Sequence, residues 1–220
     1  MPPTSTNADT VKQPRENLLP ATRAAIRCLD VLGSTAGLIM LSPLLLGLGV
    51  LIRTTSPGPA LFRSIRIGKD GRPFTLLKYR SMTQDAPSTG PAITAAADTR
   101  VTPVGRFLRQ WKLDELPQLV NVWRGEMSLV GPRPEDPRYV RLYSREQIRV
   151  LDTKPGMTSP ASLAYRDESS QLTGDDWEEH YIHEIMPAKI AIDQAYLARR
   201  SVWSDVRIIL RTVTTLLSSD

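Results

Sequence analysis

Cysteine is nearly absent from this chain. A single one, Cys28, stands among 220 residues, so no intramolecular disulfide and no thiolate zinc site can form. Histidine is almost as scarce. His180 and His183 are too few for a histidine-led metal centre and read as surface or capping side chains. Charge is missing altogether from Val31 to Ile52, VLGSTAGLIMLSPLLLGLGVLI, a run that reaches the ~20 residues needed to cross a bilayer. Residues 1–20 lack the basic start and immediate apolar run of a signal peptide; polar, proline-bearing and aperiodic, they read as a disordered lead. No nucleic-acid-binding motif appears.

The length supports one domain with appendages and a real core. Lys and Arg exceed Asp and Glu by 28 to 23, but the asymmetry says more. Up to position 165 there are 22 basic and 13 acidic residues; beyond it there are 6 and 10. A basic body of this kind suits nucleic acid, anionic lipid or phosphorylated substrates, and the apolar run favours the last two.

Arg23 and Arg27 precede that run, and Arg53, Arg63, Arg66, Lys69 and Arg72 follow it, so the positive-inside rule draws both ends to the same side. Ser42-Pro43 stands at its middle. Proline removes a backbone bond and kinks a helix, and serine can bond back to the freed carbonyl. A break there lets both ends leave on one face; a kinked spanning anchor is the other reading.

After the turn Ser56-Pro57-Gly58-Pro59, the segment ALFRSIRIGKDGRPFTLLKYRSM alternates about Asp70-Gly71 and predicts a hairpin. Residues 83–97, rich in Ala, Thr, Pro and Ser, read as a surface loop or a lid. Asp98–Pro134 organises the rest. Val104, Phe107, Leu108 and Trp111, then Leu116, Leu119, Val120 and Trp123, predict two short helices, the second stopped by Gly125. Between them stand Asp114 and Glu115, with Arg100, Arg106, Arg109, Lys112, Arg124 and Arg133 around them, the composition of a phosphate site. Asp114 is expected to start the second helix, with Pro117 in its first turn. A carboxylate kept ionised beside arginines can attack phosphorus while its neighbour holds a hard cation, which assigns Asp114 as nucleophile and Glu115 as magnesium ligand. A solvated helix start is the alternative for the pair. Gly131-Pro132-Arg133-Pro134 reads as a stiff turn presenting a guanidinium fork, or simply as a turn.

Taken together, LDELPQLVNVWRGEMSLVGPRP (113–134), KYRSM (78–82), KPGMT (154–158) and Ser42-Pro43 closely resemble the monotopic phosphoglycosyl transferases, also called bacterial sugar transferases, over residues 22–217. The resemblance implies an α+β, mostly helical fold: a disordered lead (1–20), a re-entrant membrane helix-break-helix (21–57), and a catalytic domain (58–220) with a small hairpin and C-terminal amphipathic helices. It implies transfer of a sugar 1-phosphate from a UDP-sugar to polyprenol (undecaprenyl) phosphate, with release of UMP, a covalent aspartyl-phosphosugar intermediate on Asp114, and Mg2+ on Glu115. Arg109 falls where the family meets the polyprenol phosphate. Lys78 and Arg80 fall near the active site, and Arg133 and Arg166 on the nucleotide or diphosphate. The implied setting is the cytoplasmic face of a bacterial inner membrane, at the start of exopolysaccharide, O-antigen, capsule or glycoprotein assembly. Membrane lipid is the further partner, nucleic acid is not, and a homodimer is left open. With no multi-span region or sensor domain before it, the chain is like the small members.

Three departures stand out: Ser64 where the family usually has Gln, Ser159-Pro160-Ala161-Ser162 where many have Gly and later Gln, and Asp167 where many have Asn. They leave the donor sugar open. Two rival classes remain, a non-enzymatic basic membrane scaffold and a glycosyltransferase moving the sugar alone. Elsewhere, Pro137–Leu151 is expected to be one basic helix packed through Tyr139, Leu142, Tyr143 and Ile148, and Gln171–Glu184 an acidic solvated helix or loop. Pro187–Ala198 is expected to be helical. Ser201–Leu217 should form an amphipathic helix with Val202, Trp203, Val206, Ile209, Leu210, Val213, Leu216 and Leu217 on one face, lying at an interface or completing the core.

Overall fold

A computed structural model describes residues 18–86, 98–172 and 176–218. The lead expected over 1–20 lies outside the described residues through 17, as do the loop expected over 83–97 from 87 on and residues 173–175 of the acidic stretch.

The apolar run forms two helices, α1 (Pro20–Met40) and α2 (Ser42–Thr55), bent by 62° at Leu41. The Pro43 ring cannot donate, and it displaces the carbonyl four residues back, that of Ile39. Ser42 Oγ donates to that same oxygen at 2.8 Å, so the carbonyl that Pro43 frees keeps a partner. The predicted break and the serine's part in it are both present.

The hairpin pairs β1 (Leu61–Ile67) with β2 (Pro73–Tyr79), antiparallel, with Phe62 opposite Lys78 and Arg66 opposite Phe74. Its turn carries Asp70 in the left-handed region, φ 57°. The free edge of β2 is closed by one side chain: Asn121 Oδ1 accepts from Leu77 N–H at 3.0 Å, and its Nδ2 donates to Thr75 O at 2.7 Å. Asn121 belongs to α4 (Gln118–Arg124), which follows α3 (Pro103–Gln110). Gly125 at φ 85° ends α4 as its position predicted, its N–H donating to Val122 O at 2.9 Å, and Arg27 of α1 adds donors to the last carbonyls, those of Val122 and Trp123, at 2.7 and 2.8 Å.

A second small sheet, unforeseen, pairs β3 (Ser128–Val130) in parallel with β4 (Gly156–Thr158). The connection between them corrects the expected basic helix. It is a short α5 (Pro137–Val140), a turn, and a 3-10 segment Gln147–Asp152. Ser144 N–H donates to Gln147 Oε1 and Gln147 N–H to Ser144 Oγ, a local pair that competes with continuing the helix. Leu142 and Ile148 are exposed, whereas Tyr139 and Val150 enter a core with Leu172, Tyr181, Ile185, Met186 and Ile190.

The helical stretch assigned to Pro187 onward begins earlier. Short helices α6 (Pro160–Ala164) and α7 (Glu168–Gln171) lead to α8 (Trp177–His180), a π turn Tyr181–Ile185 and α9 (Met186–Leu197), which run on without a break. Proline at 187 would collide with the His183 carbonyl in a regular helix, and the turn before it widens, Met186 N–H reaching back to Tyr181 O. α10 (Val202–Leu217) opens with a Ser201/Ser204 capping box. Its apolar residues share one face as expected, but that face is left largely open, and the helix packs through another. Asp205 and Ile208 are buried, and Trp203, Leu210, Val213 and Leu217 are exposed.

Candidate active site

Four elements converge on the acidic pair. β2 brings Lys78, α3 brings Arg109, a 3-10 turn Leu113–Glu115 holds the acids, and the chain after β3 brings Arg133. The expectation that Asp114 caps α4 is corrected here. Lys112 turns into the left-handed region (φ 53°), the 3-10 turn follows, and α4 begins only at Gln118, with no side chain capping it. That turn carries the Asp114 carboxyl inward, where the side chain is buried at 6% exposure, so the solvated helix start does not hold for it either.

The two carboxylates are treated differently. Lys78 Nζ donates to Glu115 Oε1 at 3.1 Å, and Arg133 clasps the same carboxylate with both ends of its fork, Nη1 to Oε2 at 3.1 Å and Nη2 to Oε1. Burial pushes Glu115 up, but Arg133 and Lys78 outweigh it and hold the group well below the usual carboxylate range. Asp114 accepts no hydrogen bond from any described residue. Burial raises its pKa, against the pull of Lys78 and Arg109 and with the push of Glu115. Lys78 is itself lowered by burial, opposed by Glu115, while Arg133 is raised by its partner Glu115. The cluster is therefore a fixed, ionised Glu115 beside an unencumbered Asp114 in a cationic cradle.

Arg109 is held by Ser81, a member of KYRSM to which the sequence assigned no role. Its Nε donates to Ser81 Oγ at 2.8 Å, and burial lowers the guanidinium, opposed by Asp114. α3 can come this close because a Cβ on Gly105 would fall 1.9 Å from Ser81 O. Arg80 is not brought to the acids. Its Nη2 donates to Ser56 O and Ser56 Oγ, both at 2.8 Å, and more weakly to Ile52 O, so it closes the carbonyl end of α2. Arg166 also turns away, Nη1 donating to Thr215 O of α10 at 2.7 Å; only its backbone O meets Lys112 Nζ, at 3.4 Å. Ser64 Oγ, on the hairpin face it shares with Lys78 and Arg66, is buried without a hydrogen-bond partner among the described residues.

Behind Arg133 runs a buried polar brace that no local pattern announced. Asp30 of α1 accepts from Ser128 Oγ at 2.9 Å and Leu129 N–H at 2.8 Å. Arg200 donates to Asp205, to Thr153 Oγ1 at 3.1 Å, to Ser128 Oγ at 3.2 Å and to Val130 O at 2.7 Å, three residues before Arg133. Tyr196 donates to Asp205 as well.

For a divalent cation the donor set fits in part. Among the described residues no three His, Cys, Asp or Glu side chains gather, but magnesium needs only one or two carboxylates when substrate phosphates and water complete its octahedron. Asp114 and Glu115 can supply those two oxygens.

KYRSM, LDELPQ and PRP thus meet at one cluster through Lys78, Glu115 and Arg133. The chain belongs to the bacterial sugar transferase family, whose profile matches residues 21–219. It is 40% identical over 199 residues to a UDP-glucose:undecaprenyl-phosphate glucose-1-phosphate transferase of Caulobacter vibrioides, covering 88% of this chain and 70% of the relative. A UDP-N-acetylgalactosamine-undecaprenyl-phosphate N-acetylgalactosaminephosphotransferase of Aeromonas hydrophila is 36% identical over 196 residues, 87% of this chain and 43% of its own. A UDP-glucose:undecaprenyl-phosphate glucose-1-phosphate transferase of Escherichia coli is 37% identical over 194 residues, covering 85% of this chain and 39% of its own.

Proposed function

We propose that the chain transfers a sugar 1-phosphate from a UDP-sugar to polyprenol (undecaprenyl) phosphate and releases UMP, at the cytoplasmic face of a bacterial inner membrane. The observation that carries this reading is the asymmetry of the acidic pair: Glu115 is clamped by Lys78 and Arg133, while Asp114 is buried and accepts no hydrogen bond from any described residue. An unhindered carboxylate beside cations is what in-line attack on a diphosphate requires. Asp114 Oδ attacks the phosphorus bearing the sugar, the bond from that phosphorus to the bridging oxygen breaks, and UMP leaves with the electron pair. An oxygen of polyprenol phosphate then attacks the same phosphorus, the aspartyl ester breaks, and the Asp114 carboxylate is restored. Lys78, Arg109 and Arg133 offset the charge that gathers on the phosphoryl oxygens. A magnesium ion held by Glu115 would neutralise diphosphate charge. The sugar and the glycan it begins are not assigned.

Membrane placement is supported by the bent pair. No single described helix is long and apolar enough to cross a bilayer, but α1 and α2 meet that requirement together, bent at 62°. Leu32, Ile39, Met40, Leu46 and Val50 stand exposed on them. Both ends of such a pair can return to one face, keeping the acids at headgroup depth.

The test uses the purified chain with a panel of UDP-sugars, with and without polyprenol phosphate and magnesium. With donor alone, Asp114 should gain the mass of one phosphosugar as one equivalent of UMP leaves; with acceptor, UMP release should continue over many turnovers. Asp114→Asn should abolish both. Near-normal turnover in that variant, or UDP as the released nucleotide, overturns the reading.

A further inference from the structure

A groove of about 620 Å³ opens between the end of α2 and the start of β1, lined by Arg53, Pro59, Ala60, Leu61, Phe62 and Arg63. No acid lines it, and neither arginine has a hydrogen-bond or ion-pair partner among the described residues. Most cations nearby are engaged: Arg80 in the carbonyl end of α2, Lys78 and Arg133 on Glu115, Arg66 beside Glu135 and Asp136. Arg80 matters doubly, because it meets the carbonyls of Ile52 and Ser56 that would otherwise repel an anion at this helix end. What remains at the groove is positive charge with no acidic partner among the described residues, set in apolar walls.

An apolar track leads into it. On α2, Leu46 (72% exposed) and Val50 (62%) lie four residues apart on the outer side, and Arg53, three further on, continues the line. From Leu46 to Arg53 the helix rises about 10 Å, long enough to lay the upper part of an acyl chain along it. The opposite face of α2 is spoken for: Leu48 and Ile52 are buried with Tyr79 and with Leu108 of α3, the helix that carries Arg109. The groove therefore lies on the side of α2 turned away from α3, which carries Arg109.

We infer that this groove binds a bilayer phospholipid with a net-negative headgroup, its phosphate between Arg53 and Arg63 and its chain along Val50 and Leu46. The inference rests on the membrane-embedded reading of α1 and α2 and adds a lipid site distinct from the one for the lipid substrate. Charge complementarity selects the occupant. Two guanidiniums with no carboxylate partner among the described residues favour a headgroup without its own cation over phosphatidylcholine, whose ammonium would face them.

The experiment is native mass spectrometry of the full chain in detergent, titrated with phosphatidylglycerol or phosphatidylcholine, for wild type, Arg53→Ala/Arg63→Ala, and a control, Arg72→Ala/Arg145→Ala, that removes two exposed arginines elsewhere. The first phosphatidylglycerol adduct is expected to form about tenfold more tightly than the phosphatidylcholine one. The groove variant should lose that preference and the control keep it. Equal adducts from both lipids, or equal losses in the two variants, overturn the site in favour of diffuse surface charge. A raised KM for polyprenol phosphate in the groove variant also overturns it, because the groove would then hold substrate. If wild type releases no UMP yet keeps the lipid preference, the proposed function fails and the lipid site stands.

Discussion

Replacing Arg200 by methionine tests the buried brace behind Arg133. The guanidinium and its partner Asp205 are 3% and 1% exposed, and the arginine also serves Thr153, Ser128 and the Val130 carbonyl. Methionine keeps much of the volume and removes every donor. Asp205 is then left as a buried charge with the Tyr196 hydroxyl, a situation that costs about 3–5 kcal/mol. The Val130 carbonyl and the two hydroxyls lose a partner as well, each a further loss of about 1 kcal/mol or more where no water replaces it. We therefore expect about 4 kcal/mol or more, a large part of the ~5–15 kcal/mol that a domain has in all. In a chain of this size that lowers the midpoint by about 8–16 °C, readable by circular dichroism in detergent. A companion, Arg200→Met/Asp205→Leu, removes both charges and should recover the part due to the stranded carboxylate, leaving the loss at Ser128, Thr153 and Val130. A single variant within about 3 °C of wild type, or a double variant no more stable than the single, refutes the reasoning.

Two titrations test the charged interior. In Lys78→Met the cation that pulls Asp114 down is gone while burial still pushes it up, so the acid limb of the pH profile of UMP release should move to higher pH, with kcat down on the order of 10²-fold; an unmoved limb separates Lys78 from Asp114. Asp193, which accepts from Ala161 N–H at 3.1 Å and Ser159 Oγ at 3.2 Å, is pushed up by burial from 3.8 to about 6. The folded state holds its proton more tightly than the unfolded one, so the wild type loses stability as pH rises from about 4 through 6. Asp193→Asn has no proton to lose, and relative to wild type it should gain about 3 kcal/mol between pH 4 and pH 7. A constant difference between the two proteins across that range would contradict it.

Local chemistry was readable wherever one residue's constraint acts on its own neighbours. Pro43 breaks the apolar helix, Ser42 repairs the carbonyl it frees, Gly125 stops α4 and the alternation about Asp70-Gly71 turns a hairpin, all within a few positions. The expected helix over 137–151 failed for the opposite reason: its periodicity was sound, but Ser144 and Gln147 bond to each other's backbone, and Tyr139 and Val150 are claimed by a distant core. Arg80 and Arg166 illustrate a third case. Residue type and motif both suit phosphate, yet their guanidiniums are spent on the carbonyls of Ser56 and Thr215.

The sequence by itself determined the break in the apolar segment, the hairpin, the pair of short helices, and which acids and cations belong to one stretch. Those follow from φ restriction, periodicity and charge density, which are properties of neighbours. Only the tertiary structure decided that Glu115 is the clamped acid and Asp114 the free one, that Ser81 holds Arg109, that Asn121 closes the sheet edge, and that Asp30 and Arg200 meet at Ser128 across separations of 98 and 72 residues. A hydrogen bond between residues that far apart leaves no period in the chain. It exists because burial removes water from both partners at once, and each then needs the other.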